Sequence, residues 1–271
     1  MESSYFVAES NIDFDTFRCG FGVCFRERIV QNLQHFLGST MEISVPKIGD
    51  EARSVFFARV SENHSRPVHP MLHGTHPRNM PSILEHGFII PNGRNDVPMR
   101  NGATYGPGVY FANINAPGLS LQFCHGSLSL LVCAVLQDVS VSAFGDCQVV
   151  SDASFCVPLF IAKGQHGHAN PSHTRLSLPL AQEESVHTLL ECGYLMSQNI
   201  RTSLENGVPF HRLLHDGYGP ESLLAGGYSV EVVYQQRVHP AFGIVTFPKL
   251  QNLLPGVNCC ELWDRLSIHD E

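Results

Sequence analysis

The sequence has no long apolar run, no cluster of basic residues and no pair of cysteines at metal-binding spacing. Nothing approaches the roughly 18 consecutive apolar residues of a membrane-spanning helix, and the opening residues lack the basic start and apolar stretch of a signal peptide. The 17 Lys and Arg residues are dispersed in a chain of net charge -8, so broad contact with nucleic acid is not expected. We therefore expect an intracellular protein, cytoplasmic or nuclear, without membrane association.

Cysteine and histidine residues give no sign of a metal centre. The nine cysteines include no Cys-x-x-Cys pair, and the adjacent Cys259 and Cys260 are poorly spaced for one metal. An odd number of cysteines favours free thiols in a reducing compartment. His166, His168 and His173 lie close together, but no cysteine or acidic residue stands at a fixed short spacing from them. We expect no bound metal.

The composition is that of an ordinary globular protein. Of the 271 residues, 43% are hydrophobic and 15% are charged, which is enough apolar material for a sizeable core. No repeat or low-complexity tract divides the chain, so we expect one domain over 1–271. Its pattern separates an N-terminal helix and strands (1–70), a motif-bearing core (71–136), an insertion or elaborated connection (137–227), closing strands (228–247) and a C-terminal tail (248–271).

Hydrophobic spacing predicts the elements that precede the first loop. An amphipathic helix is expected over 25–37, because apolar residues recur on one helical face opposite charged ones. Runs of β-forming residues predict short strands at 41–48 and 54–60. A strand at 71–75 then ends near a glycine. A helix over 79–88 follows, with a proline early and a glycine at its end.

The remainder of the chain is richer in strands than in helices. The stretch 89–108 is crowded with Gly, Pro and Asn and predicts a long loop, a feature that tends to be functional in compact domains. Strands are expected at 109–113 and 128–136, and the second is continuously apolar and so buried on both faces. A helical interval is expected around 183–200 and two β-rich runs within 228–247. Many strands with few long helices favour an α+β fold.

Five short motifs follow one another between residues 72 and 136. They are LHGT (72–75), a helix carrying SIL (82–84) and GF (87–88), YGPGVYFA (105–112), LSLQFC (119–124) and LLVCAVL (130–136). Any one of them recurs by chance, but the ordered set is specific. Together they resemble the catalytic core of the poly(ADP-ribose) polymerase branch of the ADP-ribosyltransferases. The resemblance is clear over 71–136 and weaker over 228–247.

The resemblance implies the ADP-ribosyltransferase fold, in which two packed, mainly antiparallel β-sheets and flanking helices surround a cleft for NAD+. NAD+ would be a substrate, and nicotinamide would leave as ADP-ribose passes to an acceptor. Nicotinamide is a flat, electron-poor ring with one carboxamide, so its site needs aromatic faces and a hydrogen-bonding donor and acceptor. The motifs supply residues of both kinds.

The resemblance also implies a role for individual residues. Tyr110 and Phe123 would flank the nicotinamide ring, with Phe123 standing where the family more usually has Tyr. The backbone of Gly74 and the hydroxyl of Ser120 would bond the carboxamide. His73 would hold the adjoining ribose through a hydroxyl group, which fixes the glycosidic bond relative to the acceptor.

Further residues of the motifs and of the loop would complete the NAD+ site. Thr75 follows the glycine of the first motif, and Tyr105 begins the third. The loop over 92–102 would cover the adenosine and pyrophosphate side of NAD+. Arg94 and Arg100 would then be phosphate partners.

Neighbouring residues are expected to pack in the core. Alternation along 109–113 predicts that Phe111 faces the core while Tyr110 faces the site. Cys124 and Cys133 lie in apolar context and are interpreted as buried packing residues, not nucleophiles.

The third catalytic position of the family is equivocal in this chain. The family places a Glu four residues before a Tyr on a strand, and counting back from Tyr234 puts Val230 there. Glu231 would be the catalytic carboxylate that bonds the ribose and polarises the acceptor. By strand alternation, however, Glu231 points to the opposite face unless a β-bulge restores it. An apolar residue at this position is typical of mono-ADP-ribosylating members and counts against poly(ADP-ribose) synthesis.

Two functions of different classes follow from these motifs. The leading hypothesis is an NAD-dependent mono-ADP-ribosyltransferase whose acceptor is a protein, or alternatively a nucleic acid. The second is a catalytically inactive domain that uses the same cleft to bind NAD+ or serves as a protein-interaction module. The related RNA 2′-phosphotransferases also use NAD+, but they rely on basic site residues that this acidic chain does not show clearly. The sequence gives no indication of the oligomeric state.

Overall fold

A computed structural model describes residues 13–38, 40–90, 104–164 and 183–206, together with the backbone at 238–239 and 243–244. No helix in these ranges is long and apolar enough to cross a membrane. In chain order the elements are α1 (Phe14–Leu37), β1 (Glu42–Ser44), α2 (Asp50–Glu62), β2 (Pro67–His73), a 3₁₀ turn (Pro77–Asn79), α3 (Met80–His86), β3 (Val109–Asn113), α4 (Gly118–Leu121), β4 (Ser129–Leu136), β5 (Val141–Phe144), β6 (Cys147–Val150), a second 3₁₀ turn (Ala153–Phe155), β7 (Cys156–Lys163), β8 (Glu184–Ser185), α5 (Val186–Glu205), β9 (Val238–His239) and β10 (Gly243–Ile244).

Eight strands form one antiparallel sheet, which confirms the expected α+β class. Seven of them are hydrogen-bonded in the order β1-β7-β4-β2-β3-β6-β5, and β8 pairs with β2. A second sheet within the described residues contains only β9 and β10. In the larger sheet β2 pairs with β4 on one side and with β3 on the other. It thereby joins the strands β1, β7 and β4 to the strands β3, β6 and β5, so that the two sheets differ greatly in size.

The strand β4 lies inside the sheet, as its apolar sequence predicts. Every residue of β4 after Ser129 is buried, and β2 and β7 pair with it on its two sides. Since both faces are covered, the strand carries a continuous apolar run and not an alternating one. The predicted strand at 128–136 is confirmed.

The helix predicted over 25–37 is confirmed, but it begins earlier, at Phe14. The carboxylate of Asp13 accepts a hydrogen bond from the backbone N–H of Thr16 and so caps the first turn. The amphipathic pattern does not extend into this first part, because α1 is buried there on most sides. A helix that is buried on all sides has no polar face, so the sequence does not show the helical repeat of apolar and polar residues.

The prediction of a strand at 54–60 is wrong, since this segment lies in α2. Ala52, Phe56 and Val60 recur at every fourth residue and are all buried, which is the spacing of one helical face. Two acidic residues in the first turn also favour the helix N-terminus. Packing of this face therefore overrides the β-forming composition of the segment.

The elements around the motifs agree closely with the predictions. The strand expected at 71–75 begins earlier, at Pro67, and ends at His73. The expected helix appears as α3, with Gly87 as its C-cap at φ 81°, a backbone angle that favours glycine. The strand at 109–113 has the predicted bounds. Of the strand at 41–48, three residues are paired in β1.

The sequence predicts an insertion or an elaborated connection over 137–227, and this segment supplies four strands to the sheet, of which β8 pairs with β2. β5 and β6 form a hairpin at one edge, while β7 lies between β1 and β4. The helical interval around 183–200 is confirmed as α5. Of the closing strands expected at 228–247, β9 and β10 are described and pair with each other.

Candidate functional site

A cavity of about 1000 Å³ lies beside the end of β2 and the start of β3. Its volume is at the upper end of the range for small-molecule sites. Every described residue that the sequence assigns to the NAD+ site lines this cavity: His73, Gly74, Thr75, Tyr105, Tyr110, Ser120 and Phe123. They come from three separate segments, which the pairing of β2 with β3 and the position of α4 bring together.

The imidazole of His73 is held in one tautomer. Its Nδ1 lies 2.9 Å from the carbonyl oxygen of Tyr110. A carbonyl oxygen can only accept, so Nδ1 carries the proton and Nε2 remains as the acceptor of the ring. Burial lowers the pKa of His73 from 6.5 to about 4, although the hydrogen bond to Tyr110 acts in the opposite direction. His73 is therefore neutral at physiological pH and can accept a hydrogen bond from a hydroxyl.

Two phenylalanines surround His73. The ring centroids of Phe88 and Phe111 lie 4.9 Å and 5.6 Å from that of the imidazole. Phe111 is 2% exposed, while Tyr110 is half-buried and faces the cavity, which confirms the predicted alternation. These apolar rings exclude water from one side of His73 and explain why its charged form is disfavoured.

The end of β2 and the helix α4 touch at Gly74. A Cβ atom at this position would lie 1.7 Å from the carbonyl oxygen of Ser120, so only glycine fits. The hydroxyl of Ser120 is buried and donates a hydrogen bond to the carbonyl oxygen of Leu72, at 2.9 Å. With its proton so directed, the Ser120 oxygen can only accept from a ligand, as from the N–H of a carboxamide.

The hydroxyl of Tyr110 forms hydrogen bonds with the backbone of the segment that precedes β3. Its hydroxyl accepts a hydrogen bond from the backbone N–H of Tyr105 at 3.1 Å and donates one to the carbonyl oxygen of Gly106 at 2.7 Å. The rings of Tyr105 and Tyr110 lie 6.4 Å apart and are inclined by 28°. Tyr110 thus lines the cavity with its ring and orients Tyr105 with its hydroxyl.

Thr75 and Phe123 are positioned by short local contacts. The Oγ1 of Thr75 accepts a hydrogen bond from the Nδ2 of Asn79 at 3.1 Å, which ties the end of the first motif to the turn before α3. The N–H of Phe123 donates to the carbonyl oxygen of Ser120 at 3.1 Å, in a turn that follows α4. This turn places Phe123 in the lining of the cavity.

Sequence reasoning missed five residues outside the motifs that line the cavity with aromatic, imidazole or charged side chains. Three of them lie within three residues of the end of the first or the fourth motif, so proximity in the sequence was a usable signal. Phe144 and Asp146 lie in the β5–β6 hairpin, where no motif stands and only tertiary pairing brings them to the site. The five are His76, Arg78, His125, Phe144 and Asp146.

Several predicted positions lie outside the described residues. These include both candidates for the third catalytic position and the loop arginines. The histidine cluster lies outside them as well. The positions are Val230, Glu231, Tyr234, Arg94, Arg100, His166, His168 and His173.

The thiols near the motifs are packing residues, as predicted. Cys124 and Cys133 are fully buried. Burial raises the pKa of Cys124 to about 11 and that of Cys133 well above its usual value, so neither forms a thiolate readily. The seven cysteines within the described ranges form no disulfide bonds. Those ranges contain no group of three or more His, Cys, Asp or Glu that could hold a metal ion.

Comparison with known protein families gives a match to this chain. The family model described as the poly(ADP-ribose) polymerase catalytic domain matches residues 27–170, just over half of the chain. The matched range contains all seven cavity residues named above and stops before positions 230 and 231. No curated protein matches the chain.

Proposed function

The chain belongs to the poly(ADP-ribose) polymerase catalytic-domain family, and from this membership we propose that it transfers a single ADP-ribose from NAD+ to a macromolecular acceptor. The acceptor in this proposal is a protein, because a chain of net charge -8 disfavours nucleic acid. Its setting is intracellular, cytoplasmic or nuclear, in keeping with the free thiols of the described residues.

One observation carries the proposal, namely that seven residues chosen from three sequence motifs line a single cavity. Residues drawn together only for their place in a core would pack against one another and leave no space between them. Here the space is large, and its wall offers aromatic rings and hydrogen-bonding groups. This is the combination that a nicotinamide ring and its ribose require.

In the proposed reaction the nicotinamide lies between the rings of Tyr110 and Phe123, with its carboxamide at the backbone of Gly74. A ribose hydroxyl donates to Nε2 of His73, which is free to accept because Nδ1 donates to Tyr110. The bond between ribose C1′ and the nicotinamide nitrogen breaks, and its electron pair leaves with neutral nicotinamide. A lone pair of the acceptor forms the new bond to C1′, and the acceptor loses its proton to a base or to water.

Transfer of one ADP-ribose, without chain elongation, is proposed from the third catalytic position. Counting from Tyr234 places Val230 there, and an apolar residue cannot accept the hydrogen bond of a second ribose. The same observation favours an alternative function, in which the domain binds NAD+ or a protein partner without catalysis.

The purified full chain is incubated with NAD+ labelled in its adenosine, and nicotinamide release and protein-bound label are both measured. We expect both products, and we expect them to fall at least about tenfold in the His73→Ala variant, which loses the ribose contact. If each modified site carries a single labelled ADP-ribose, and no chain grows from it at high NAD+ concentration, the result would support transfer of one ADP-ribose. Equal signals from wild type and variant would remove the enzymatic function.

Benzamide distinguishes a catalytically inactive domain that still binds NAD+ from a domain that has no nicotinamide pocket. Because it mimics nicotinamide, saturating benzamide raises the melting temperature of any folded chain whose nicotinamide pocket is intact. A rise without turnover would support the binding module. If benzamide does not raise the melting temperature of the wild type, both ADP-ribose transfer and NAD+ binding are contradicted, and only a protein-interaction module is left.

A further inference from the structure

Two cysteines meet where the helices α1 and α5 pack together. Cys24 lies on α1 and Cys192 lies on α5. Their thiols form a hydrogen bond with each other. Both residues are partly exposed, whereas four of the seven cysteines within the described ranges are buried. We call Cys24 and Cys192 the interhelical thiol pair.

The backbones of the two helices bring the pair together. Gly20 stands one turn before Cys24 and meets Leu189 of α5, where an added Cβ would lie 1.7 Å from the carbonyl oxygen. Leu189 and Cys192 are three residues apart and therefore lie on the same face of α5. Side chains on a helix also lean towards its N-terminus, so both thiols point back towards this contact. The close approach of the helices thus accounts for the hydrogen bond between the thiols.

This geometry suits a disulfide bond. A disulfide joins Cα atoms that are only about 4.4–6.8 Å apart, and this separation requires helices that pack closely. Gly193, next to Cys192, has no side chain to hold the backbone of Thr16 away. Because the two sulfur atoms are already within hydrogen-bonding distance, a bond between them needs only a small adjustment of the side chains.

Cys24 does not form a thiolate readily. Burial, followed by the neighbouring Cys192, raises the pKa of Cys24 to about 12. A thiolate is the form that attacks an oxidant, so we assign the first oxidation step to Cys192. An oxidised Cys192 sulfur carries no thiolate charge, which removes one cause of the raised pKa. Cys24 is then better able to complete the bond.

We propose that hydrogen peroxide converts the interhelical thiol pair into a reversible disulfide that links α1 to α5. The Cys192 sulfur attacks the peroxide, the O–O bond breaks, and Cys192 becomes a sulfenic acid as one water leaves. The Cys24 sulfur then attacks the Cys192 sulfur, loses its proton and displaces the sulfenic oxygen as a second water. The two thiols together lose two electrons to the peroxide. The inference does not depend on the proposed function.

The disulfide would restrict the opening of this part of the fold. The first turn of α5 is already joined to the segment before β2, because the N–H groups of Val186 and His187 donate to the carbonyl oxygens of Arg66 and His64. A bond to α1 adds a covalent attachment between residues that are distant in the chain. Such a bond stabilises mainly by restricting the unfolded chain, and more so for a longer loop. We therefore expect the oxidised form to be the more stable one.

The test uses the purified full chain, which is reduced with dithiothreitol and then freed from it. The protein is treated with a small excess of hydrogen peroxide, remaining thiols are blocked with iodoacetamide, and unreduced peptides are identified by mass spectrometry. We expect a cross-linked peptide that contains Cys24 and Cys192. The melting temperature should exceed that of the reduced protein by roughly 5–15 °C. Dithiothreitol should reverse both changes.

Three variants connect these changes to the interhelical thiol pair. Cys24→Ser and Cys192→Ser should each abolish the cross-linked peptide and the rise in melting temperature. In Cys24→Ser the oxidation of Cys192 should stop at the sulfenic acid, which dimedone labels. Cys147→Ser is the matched control, because Cys147 is also partly exposed but lies on β6. It should form the cross-link as the wild type does.

Other products of oxidation would overturn the proposal. Cys19 is fully buried and close to Cys24, so a cross-link between these two residues would confine the change to α1. A disulfide between two copies of the chain, seen as a dimer on a non-reducing gel, would also overturn it. The same holds if the cross-link forms and the melting temperature does not rise. Benzamide tests the nicotinamide pocket in the reduced protein, so this proposal and the proposed function fail separately.

Discussion

The imidazole of His73 owes its chemistry to two kinds of neighbour. The carbonyl oxygen of Tyr110 fixes the proton on Nδ1, and the rings of Phe88 and Phe111 exclude water from the side chain. An exposed histidine would be half protonated at pH 6.5 and could donate from both nitrogens. His73 is instead a neutral acceptor over the whole physiological range, with a pKa of about 4.

This lowered pKa predicts how stability depends on pH. Between pH 6.5 and about pH 4 the unfolded chain binds a proton at His73 and the folded chain does not. The native state therefore loses stability as the pH falls through this window, by roughly 1–3 kcal/mol from this residue. We expect His73→Gln to lose less stability than wild type between pH 7 and pH 4.5 in urea unfolding. Parallel losses in the two proteins would contradict the assignment.

The hydroxyl of Tyr110 has a positioning role that its ring does not explain. In Tyr110→Phe the stacking face remains, but the bonds to Tyr105 and Gly106 are lost. We expect the KM for NAD+ to rise about three- to tenfold with little change in kcat, since each hydrogen bond contributes about 0.5–1.5 kcal/mol. Tyr194→Phe, on α5, is the control and should leave KM unchanged. A fall in kcat alone would indicate a direct role in the reaction.

Among the elements, α1 and α5 make an unusually close contact. A Cβ at Gly20 would lie 1.7 Å from the carbonyl oxygen of Leu189, and one at Gly193 would lie 1.9 Å from that of Thr16. Both neighbours are backbone atoms of the opposite helix, so neither can rotate away. The two glycines therefore determine how closely these helices pack.

Substitution of either glycine should separate the helices. Although alanine is the better helix former, we expect Gly20→Ala and Gly193→Ala each to destabilise the protein by about 1–3 kcal/mol through overpacking. Gly118→Ala is the control, because its added Cβ would meet only the Phe36 ring at 4.0 Å. Urea unfolding measures all three. Stabilisation by the first two substitutions would show that α1 and α5 are further apart.

The elements differ in how well their sequences predict them. β4 and β3 are recognisable because an apolar run and a glycine-rich loop mark their bounds. α2 is not, because its segment 54–60 consists largely of residues that also suit a strand. Helix propensities differ by less than about 1 kcal/mol per residue, so burial of Phe56 and its neighbours on one face decides the outcome.

At the scale of the whole molecule, the sheet determines where the cavity forms. β4 and β7 lie in its interior, whereas β5 lies at an edge and has three exposed residues out of four. The cavity is bounded on one side by this edge hairpin, which carries Phe144 and Asp146. The buried interior strands and the more exposed edge strand β5 thus belong to one sheet.

Hydrogen exchange should reveal this gradient across the sheet. We expect backbone amides at 131–135 in β4 to exchange only on global unfolding, and those at 142–144 in β5 at least about a hundredfold faster. Mass spectrometry of peptic peptides measures both exchange rates. Low concentrations of urea should accelerate the exchange of the β4 amides in proportion to the loss of global stability. Similar rates in the two strands would contradict the assigned order.

The sequence by itself determined the family, the α+β class and seven residues of the candidate site, because motifs of adjacent residues carry that information. Only the tertiary structure decided the tautomer of His73, the helical state of 54–60, the close contact of α1 with α5 and the presence of Phe144 and Asp146 at the cavity. These features depend on contacts between residues distant in the chain. Their energies come from burial and from hydrogen bonds to neighbours that no local pattern identifies.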